Sequence, residues 1–387
     1  MKKSVVILGS TGSIGKSLLD IITRDKQNFK ILLLTANKNY KLLLKQAKLY
    51  NVKNILISNK YFFEKAKSFN KNKNINILNN FKNLKKIFNK KIDYTMSAIV
   101  GIEGLLPTLK IIKFTKKIAI ANKEPIICAW NLIKNELEKN KTEFIPVDSE
   151  HFSVWYALKG NNIRNIERVY LTASGGSLLN VPFKQYKKLS MKRILNHPNW
   201  NMGKKITIDS SNMINKVFEI IEAKKLFNIS YKKLSIIIHP KSYIHAIIKF
   251  NDGMINIIAH DTTMEIPIFN SLYEKNKKNY KTTQLNIKNL NNLDLKEASI
   301  NKFPLLNILK SLPEQNSLFE TILVSANDEL VKLFLNKKIP YTSITKVLIK
   351  FLSLTEFKKY KKIQPKKIQE IIKLSEYVRF KIGSISI

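Results

Sequence analysis

The chain has 387 residues, 44% of them hydrophobic, and 68 Lys and Arg against 28 Asp and Glu, a formal net charge of +40. That length allows two or three domains with real cores, and no apolar run approaches the roughly 20 residues of a bilayer-spanning helix. The single Cys128 permits no intrachain disulfide and fits a reducing, cytoplasmic compartment. Lysine is spread from end to end among Asn and Ile, as in K-N-K-N-I-N-I-L-N-N, rather than gathered into a stripe interleaved with aromatics. This points to solvated faces, with weak polyanion attraction and no dedicated nucleic-acid partner. The opening M-K-K-S-V-V-I-L is too short in its apolar part for a signal peptide and runs straight into a glycine turn.

Residues 1–148 alternate strand-like runs with helix-period stretches. The strand-like runs are 5–8, 30–35, 54–58, 94–100, 117–121 and 143–147. The alternation predicts right-handed βαβ units and a doubly wound, parallel, Rossmann-like sheet of the α/β class. Glycine is scarce, 11 in all, against a usual share of about 7%. Three of the eleven stand at Gly9, Gly12 and Gly15 in V-V-I-L-G-S-T-G-S-I-G, where a buried strand breaks into a helix. Such a turn offers backbone N–H groups to a pyrophosphate, so Thr11, Gly12, Ser13 and Ile14 are candidate cofactor contacts. The second strand ends in Ala36-Asn37-Lys38-Asn39 without the carboxylate that would grip the ribose of NAD. Lys38 with Asn37 and Asn39 suits a 2′-phosphate instead, which favours NADPH. Asn122, Lys123 and Glu124 follow a later strand, where the nicotinamide half of the cofactor is expected.

Asp148 and Glu150 close the last strand of this region, two residues apart, so both are expected on one face. Two carboxylates there repel unless a cation lies between them. Asn215, Glu219 and Glu222 share one face of a helix expected over 212–227. Asp148, Glu150 and Glu219 would form an all-oxygen site of the kind that takes Mg²⁺ or Mn²⁺; the pattern alone leaves Glu219 open to being a solvated helix residue. Residues 149–272 read as an α+β domain, with apolar runs V-Y-L-T-A, K-I-T-I-D, S-I-I-I-H and A-I-I-K-F. Small polar residues suited to a phosphate cluster there: Thr172-Ala-Ser174-Gly175-Gly176, Asp209-Ser210-Ser211-Asn212, and Lys216. The loop His197-Pro-Asn-Trp200-Asn-Met202-Gly203 can be a lid over substrate or a surface turn anchored by one Trp. Residues 273–298 read as a linker, and 299–387 as a bundle of amphipathic helices.

The segments G-S-T-G-S-I-G, A-N-K-E, P-V-D-S-E-H, T-A-S-G-G, H-P-N-W-x-M-G-x-K-I, D-S-S-N-M-I-N-K-x-x-E-I-I-E-A and I-H-P-x-S-Y-I-H occur in this order. In these the chain resembles the 1-deoxy-D-xylulose 5-phosphate reductoisomerases. The resemblance implies a homodimer with an NADPH domain, a catalytic connecting domain and a C-terminal helical bundle. It implies metal ligation by Asp148, Glu150 and Glu219, and substrate-hydroxyl contacts from Ser149, Glu150 and Lys123. It also implies phosphate contacts from Ser174, Ser210, Asn215 and Lys216 with His245 nearby, a flap of His197, Trp200 and Met202, and a cofactor contact at Gly203. Catalytic roles fall on Lys123, Asp148, Glu150 and Glu219. The implied reaction is metal-assisted isomerisation and NADPH-dependent reduction of a phosphorylated sugar. Rival readings are an NADP-dependent dehydrogenase of another small hydroxy acid and a basic nucleic-acid-binding protein on an enzyme fold.

Three departures from the family pattern stand out. Asn37 replaces a usual glycine and would tolerate a left-handed backbone. Gly175-Gly176-Ser177-Leu178 replaces G-G-P-F. Met264-Glu265 replaces Met-Arg, an anion for a cation.

Overall fold

The computed structural model describes residues 2–273, 278–281 and 283–385. The chain divides into two compact units: residues 1–125, 133–148 and 264–280 form the first, and residues 126–132, 149–263 and 281–387 the second. Residues 264–272, expected from the sequence to belong with the connecting domain, group with the first unit instead. Of the expected linker 273–298, residues 274–277 and 282 lie outside the described residues.

The first unit is built on a seven-stranded sheet of β1 (Lys3–Leu8), β2 (Phe29–Ala36), β3 (Asn54–Ile57), β4 (Asn76–Leu78), β5 (Ile92–Ser97), β6 (Thr115–Ile120) and β7 (Glu143–Pro146). Its order is β4-β3-β2-β1-β5-β6-β7, and every pairing is parallel. Val5, Val6, Ile7 and Leu8 are completely buried, as a central strand covered on both faces requires; each such side chain contributes about 1.5–3 kcal/mol of burial. The order reverses between β1 and β5, the position where open α/β sheets leave a crevice at the strands' carboxyl ends. β4 has no counterpart among the expected strands. Glu265 accepts two hydrogen bonds from Arg24, 2.9 and 3.3 Å, and a third from Tyr280 Oη. The anion at 265 therefore has its own cation, although Arg24 is mostly exposed and the pair contributes only about 0–1 kcal/mol.

The second unit holds a five-stranded mixed sheet of β8 (Ile166–Ala173), β9 (Leu234–Ile238), β10 (Ile244–Phe250), β11 (Ile255–Ala259) and β12 (Lys296–Glu297), in the order β11-β10-β8-β9-β12. β12 lies inside the expected linker and pairs antiparallel with β9. Helices Ser149–Ala157 and Ile214–Phe227 supply apolar residues to the core under this sheet. The apolar run K-I-T-I-D, set apart in the sequence from the helix expected over 212–227, is itself helical, within Lys204–Ser211. Its apparent period of two is overridden by an i,i+4 pair between Lys205 and Asp209, 3.0 Å, and by Thr207 Oγ1 bonding to Gly203 O. The helix expected over 212–227 begins only at Ile214, because Met213 takes a left-handed φ of 67° between the two helices. Helices Phe319–Leu335, Tyr341–Leu352 and Ile368–Gly383 follow in the C-terminal part.

Candidate active site

In the first unit the glycine turn leaves β1 with Gly9 at φ 84°. A side chain at Gly15 would place Cβ 2.5 Å from both Gly9 O and Ser10 Cα, so only glycine lets the helix Ser13–Thr23 start against the turn. No side chain caps that helix at Gly12, which leaves its first N–H groups to a ligand. The turn is fixed from behind: Gly9 N donates to Thr35 Oγ1, 2.9 Å, and Gln46 Nε2 to Ser10 O, 3.0 Å. Beyond β2, Asn39 Oδ1 caps the next helix by accepting from Leu42 N, and Asn37 Oδ1 accepts from Ser58 Oγ. Asn37 is not in the left-handed region, so its replacement of glycine needs no unusual backbone, contrary to the sequence expectation. After β6, Asn122, Lys123 and Glu124 are all buried. Lys123 Nζ lies 3.7 Å from Asp148 Oδ2.

Asp148 ends the segment 133–148 of the first unit and is peptide-bonded to Ser149, which opens the helix Ser149–Ala157. The Asp148–Glu150 spacing therefore spans a strand-to-helix junction and does not lie on one strand face as expected. Glu150 sits in the helix's first turn, where the positive end of the helix dipole favours an anion. Ser149 Oγ donates to Glu150 Oε2. Glu150 Oε1 accepts from Lys216 Nζ at 2.8 Å, and the same ammonium pairs with Glu219 Oε2. Asn215 Nδ2 donates to the other oxygen of Glu219. Burial opposes the charge on Lys216, but the Glu150 and Glu219 carboxylates outweigh it and hold the amine above its ordinary pKa. Glu219 is therefore no solvated helix residue; its side chain is 2% exposed.

Asp148, Glu150 and Glu219 each offer a carboxylate oxygen, and the three oxygens lie within 4.8 Å of one another. A second group, Asp148, His151 and Glu222, meets the same distance. Glu222, grouped with Glu219 by spacing, in fact serves His151: its Oε2 is 3.4 Å from His151 Nδ1, while His151 Nε2 bonds to the main-chain oxygen of Glu219 at 2.9 Å.

Two of the segments expected to bind phosphate meet. A Cβ at Gly176 would strike Ser210 O and Ser211 Cα at 2.7 Å, so the serine turn lies backbone to backbone against the end of the helix Lys204–Ser211. The Ser177-Leu178 departure is absorbed into the core: Ser177 Oγ donates to Ile194 O, 2.7 Å, and Leu178 is fully buried.

His197 reaches this turn, with Nε2 2.9 Å from Ser174 Oγ. Its Nδ1 accepts from the N–H groups of Asn199 and Trp200, 3.2 and 3.0 Å. The ring proton must therefore sit on Nε2 and point at Ser174. Burial pushes the His197 pKa down to about 4, which keeps that tautomer neutral. Ser174 Oγ also accepts from Gly176 N, 3.0 Å. With both lone pairs engaged, its own O–H is left to donate outward. The Trp200 ring meets His245 edge-on at 6.0 Å, and His245 stacks on His260 at 3.7 Å. Gly203 precedes the helix Lys204–Ser211, and nothing within 4 Å would crowd a side chain there. His151 and Glu222, the supports of Glu219, were not singled out as a pair from the sequence, since nothing local links them.

Comparison with known proteins agrees along the whole chain. Residues 5–130 match the family model described as 1-deoxy-D-xylulose 5-phosphate reductoisomerase; residues 144–227 and 261–381 match two models of that enzyme's C-terminal domains. The 1-deoxy-D-xylulose 5-phosphate reductoisomerase of Pelagibacter ubique is 57% identical over 387 residues, all of both chains, and that of Thermoanaerobacter sp. (strain X514) is 37% identical over 98% of each. Among solved structures, the Zymomonas mobilis enzyme in complex with NADPH aligns at 30% identity and a TM-score of 0.86, covering 99% of each chain. A DOX-P reductoisomerase in complex with NADPH, fosmidomycin and magnesium aligns at 29% identity and 0.90, covering 99% of this chain and 98% of the other. The chain belongs to the 1-deoxy-D-xylulose 5-phosphate reductoisomerase family.

Proposed function

We propose that this chain carries out the reaction its family is named for, the isomerisation and NADPH-dependent reduction of 1-deoxy-D-xylulose 5-phosphate to 2-C-methyl-D-erythritol 4-phosphate, with a divalent metal. The observation that carries this reading is the meeting of Asp148, Glu150 and Glu219 in a chain that matches the family from residue 5 to residue 381. Three carboxylates with oxygen donors only fit Mg²⁺ or Mn²⁺. The bound cation supplies Lewis-acid polarisation of the substrate's ketone and hydroxyl oxygens, and the nicotinamide supplies hydride.

The chain's own residues do the rest. Ser174 Oγ, Ser210, Asn215 and Lys216 bind the phosphate, and the neutral His197 aims the Ser174 proton toward it. Lys216 exchanges part of its pairing with Glu150 and Glu219 for the incoming anion, freeing carboxylate oxygens as substrate enters. Glu150 Oε2, which takes a hydrogen bond from Ser149, is the acceptor for a substrate hydroxyl proton, and the Lys123 ammonium holds Asp148 in place. Remote phosphate binding is then used to order the loop His197–Gly203 over the reacting carbons. Thr11, Gly12, Ser13 and Ile14 hold the cofactor pyrophosphate, Lys38 with Asn37 and Asn39 its 2′-phosphate, and Asn122 and Glu124 the nicotinamide half.

A homodimer belongs to the same proposal. It is supported by β11, an edge strand whose Ile255 and Ile257 are about half exposed, and is checked by sedimentation. A cytoplasmic location rests on the single, buried Cys128; no described helix is long and apolar enough to cross a membrane.

The deciding assay follows NADPH oxidation with 1-deoxy-D-xylulose 5-phosphate, with and without Mg²⁺ or Mn²⁺. Metal-dependent oxidation yielding the branched polyol phosphate supports the proposal. Reduction without skeletal rearrangement would favour a hydroxy-acid dehydrogenase, and tight, salt-sensitive polynucleotide binding by an inert enzyme would favour the nucleic-acid reading.

A further inference from the structure

Ser210 stands at the end of the helix Lys204–Ser211, with the left-handed Met213 three residues on and Asn215, Lys216 and Glu219 following on the next helix. A non-glycine residue at φ 67° persists only where its surroundings over-determine it, and Met213 is 2% exposed. Met213 N donates to Ser210 O, 3.2 Å, and Ile214 N to Asn212 Oδ1, 3.1 Å; to these local bonds the C-terminal helices, more than a hundred residues away, add a pair of buried hydrogen bonds. Asn327 Nδ2, on the helix Phe319–Leu335, donates to Asp209 Oδ1 at 2.9 Å. Tyr341 Oη, at the start of the helix Tyr341–Leu352, lies 2.8 Å from Ser211 Oγ. Ser211 already donates its proton to Ile208 O, 2.7 Å, so Tyr341 is the donor in that pair.

All four side chains are buried: Asn327 and Ser211 completely, Asp209 to 1% and Tyr341 to 6% exposure. No water competes for these bonds, which makes them stiff and directional. They grip residues 209 and 211, the two neighbours of Ser210. Asp209 is held further by Lys205, 3.0 Å, which also reaches Asp328 at 3.1 Å; Asp328 in turn pairs with Arg379 on the last helix at 3.3 Å. Asp209 is a buried carboxylate that the chemistry proposed above does not use, and this network accounts for it.

We infer that Asn327 and Tyr341 are positioning residues for the substrate's phosphate: through Asp209 and Ser211 the C-terminal helices set the place of Ser210 and the approach of Asn215 and Lys216. This rests on the reading of Ser210 as a phosphate contact. It gives the C-terminal helices a part in recognition, exerted without touching substrate.

The test uses the full-length enzyme loaded with NADPH and Mg²⁺, and compares kcat/KM for 1-deoxy-D-xylulose 5-phosphate with kcat/KM for the unphosphorylated ketose. The variants are Tyr341→Phe, which keeps the ring and removes one donor, Asn327→Ala, and Ser210→Ala as the control for the phosphate reading. The expected result is a fall of about tenfold in the preference for the phosphorylated substrate in each variant, carried by KM; in Tyr341→Phe and Asn327→Ala the unphosphorylated ketose is turned over within about twofold of the parent rate. Equal losses on both substrates in Tyr341→Phe, or no loss, would overturn the inference, because a merely structural contact does not discriminate between them. An unchanged preference in Ser210→Ala would remove the phosphate reading, and the inference with it. Should Asn327→Ala fail to fold, Tyr341→Phe decides alone.

Discussion

Replacing Glu219 by Gln removes one negative charge from the carboxylate cluster and changes almost nothing else. The side chain is 2% exposed and the amide keeps its shape: its one oxygen still accepts from Lys216, and its NH2 faces Asn215, whose own amide can turn to present its oxygen. Lys216 also keeps Glu150 at 2.8 Å, so no buried charge is orphaned and the fold should survive within a few degrees of the parent melting temperature. The metal is affected differently. Glu219 is already buried beside Asp148 and Glu150 before a metal binds, so its burial and their repulsion act on the free and the loaded enzyme alike. What the substitution removes is the attraction of one buried carboxylate for the dication, less the Lys216 pairing that the metal displaces. Loss of one partner from a buried charge pair costs about 4 kcal/mol, which is about three decades in affinity at 1.36 kcal/mol per decade. Calorimetric titration of the NADPH-loaded enzyme with Mn²⁺ should therefore give a dissociation constant about a thousandfold higher in Glu219→Gln, and turnover at fixed metal should fall by orders of magnitude. A constant within threefold of the parent value, with near-normal turnover, would refute the reasoning.

The glycine turn makes a sharper claim about stability. Gly15→Ala would drive Cβ into main-chain atoms at 2.5 Å, whereas Gly12→Ala meets only Gly9 O, at 3.4 Å. Thermal melts should show Gly15→Ala losing about 1–3 kcal/mol and Gly12→Ala less than about 1; the reverse order would contradict the packing. Lys38→Glu should raise the KM for NADPH at least tenfold and leave NADH use unchanged or improved, measured as initial rates with each nucleotide; equal effects on both would deny Lys38 the 2′-phosphate. His197 has a folded pKa of about 4, below its ordinary 6.5, so the unfolded chain takes up its proton first. The stabilisation from its neutral form is complete above about pH 6.5 and is lost as pH falls toward 4. Melting temperature followed over that window should decline more steeply in the parent than in His197→Gln, and identical slopes would remove His197 from the account.

The parallel sheet was legible because its strands are apolar runs broken by helical spacing, and because Gly9, Gly12 and Gly15 mark the first strand's exit. β4 was not legible: Asn76–Leu78 is three residues in a Lys- and Asn-rich tract, and only pairing with β3 makes it a strand. K-I-T-I-D misled for the opposite reason, since a clean alternation was outvoted by the Lys205–Asp209 pair and by tertiary burial of Thr207 and Ile208. At the site, Glu150 and Glu219 were readable from spacing and resemblance. The ammonium of Lys216 between them was not, because spacing on one helix does not reveal what the other helix brings. Tyr341 and Asn327 lie 130 and 118 residues from their partners, and a single sequence carries no local trace of such contacts.

The most direct test of the central claim is an anomalous-difference map from crystals of this chain soaked in Mn²⁺ with NADPH. The account predicts one strong peak ligated by carboxylate oxygens of Asp148, Glu150 and Glu219, with Lys216 displaced from at least one of them. An empty map at that point, or a peak ligated instead by His151 and Glu222, would contradict it.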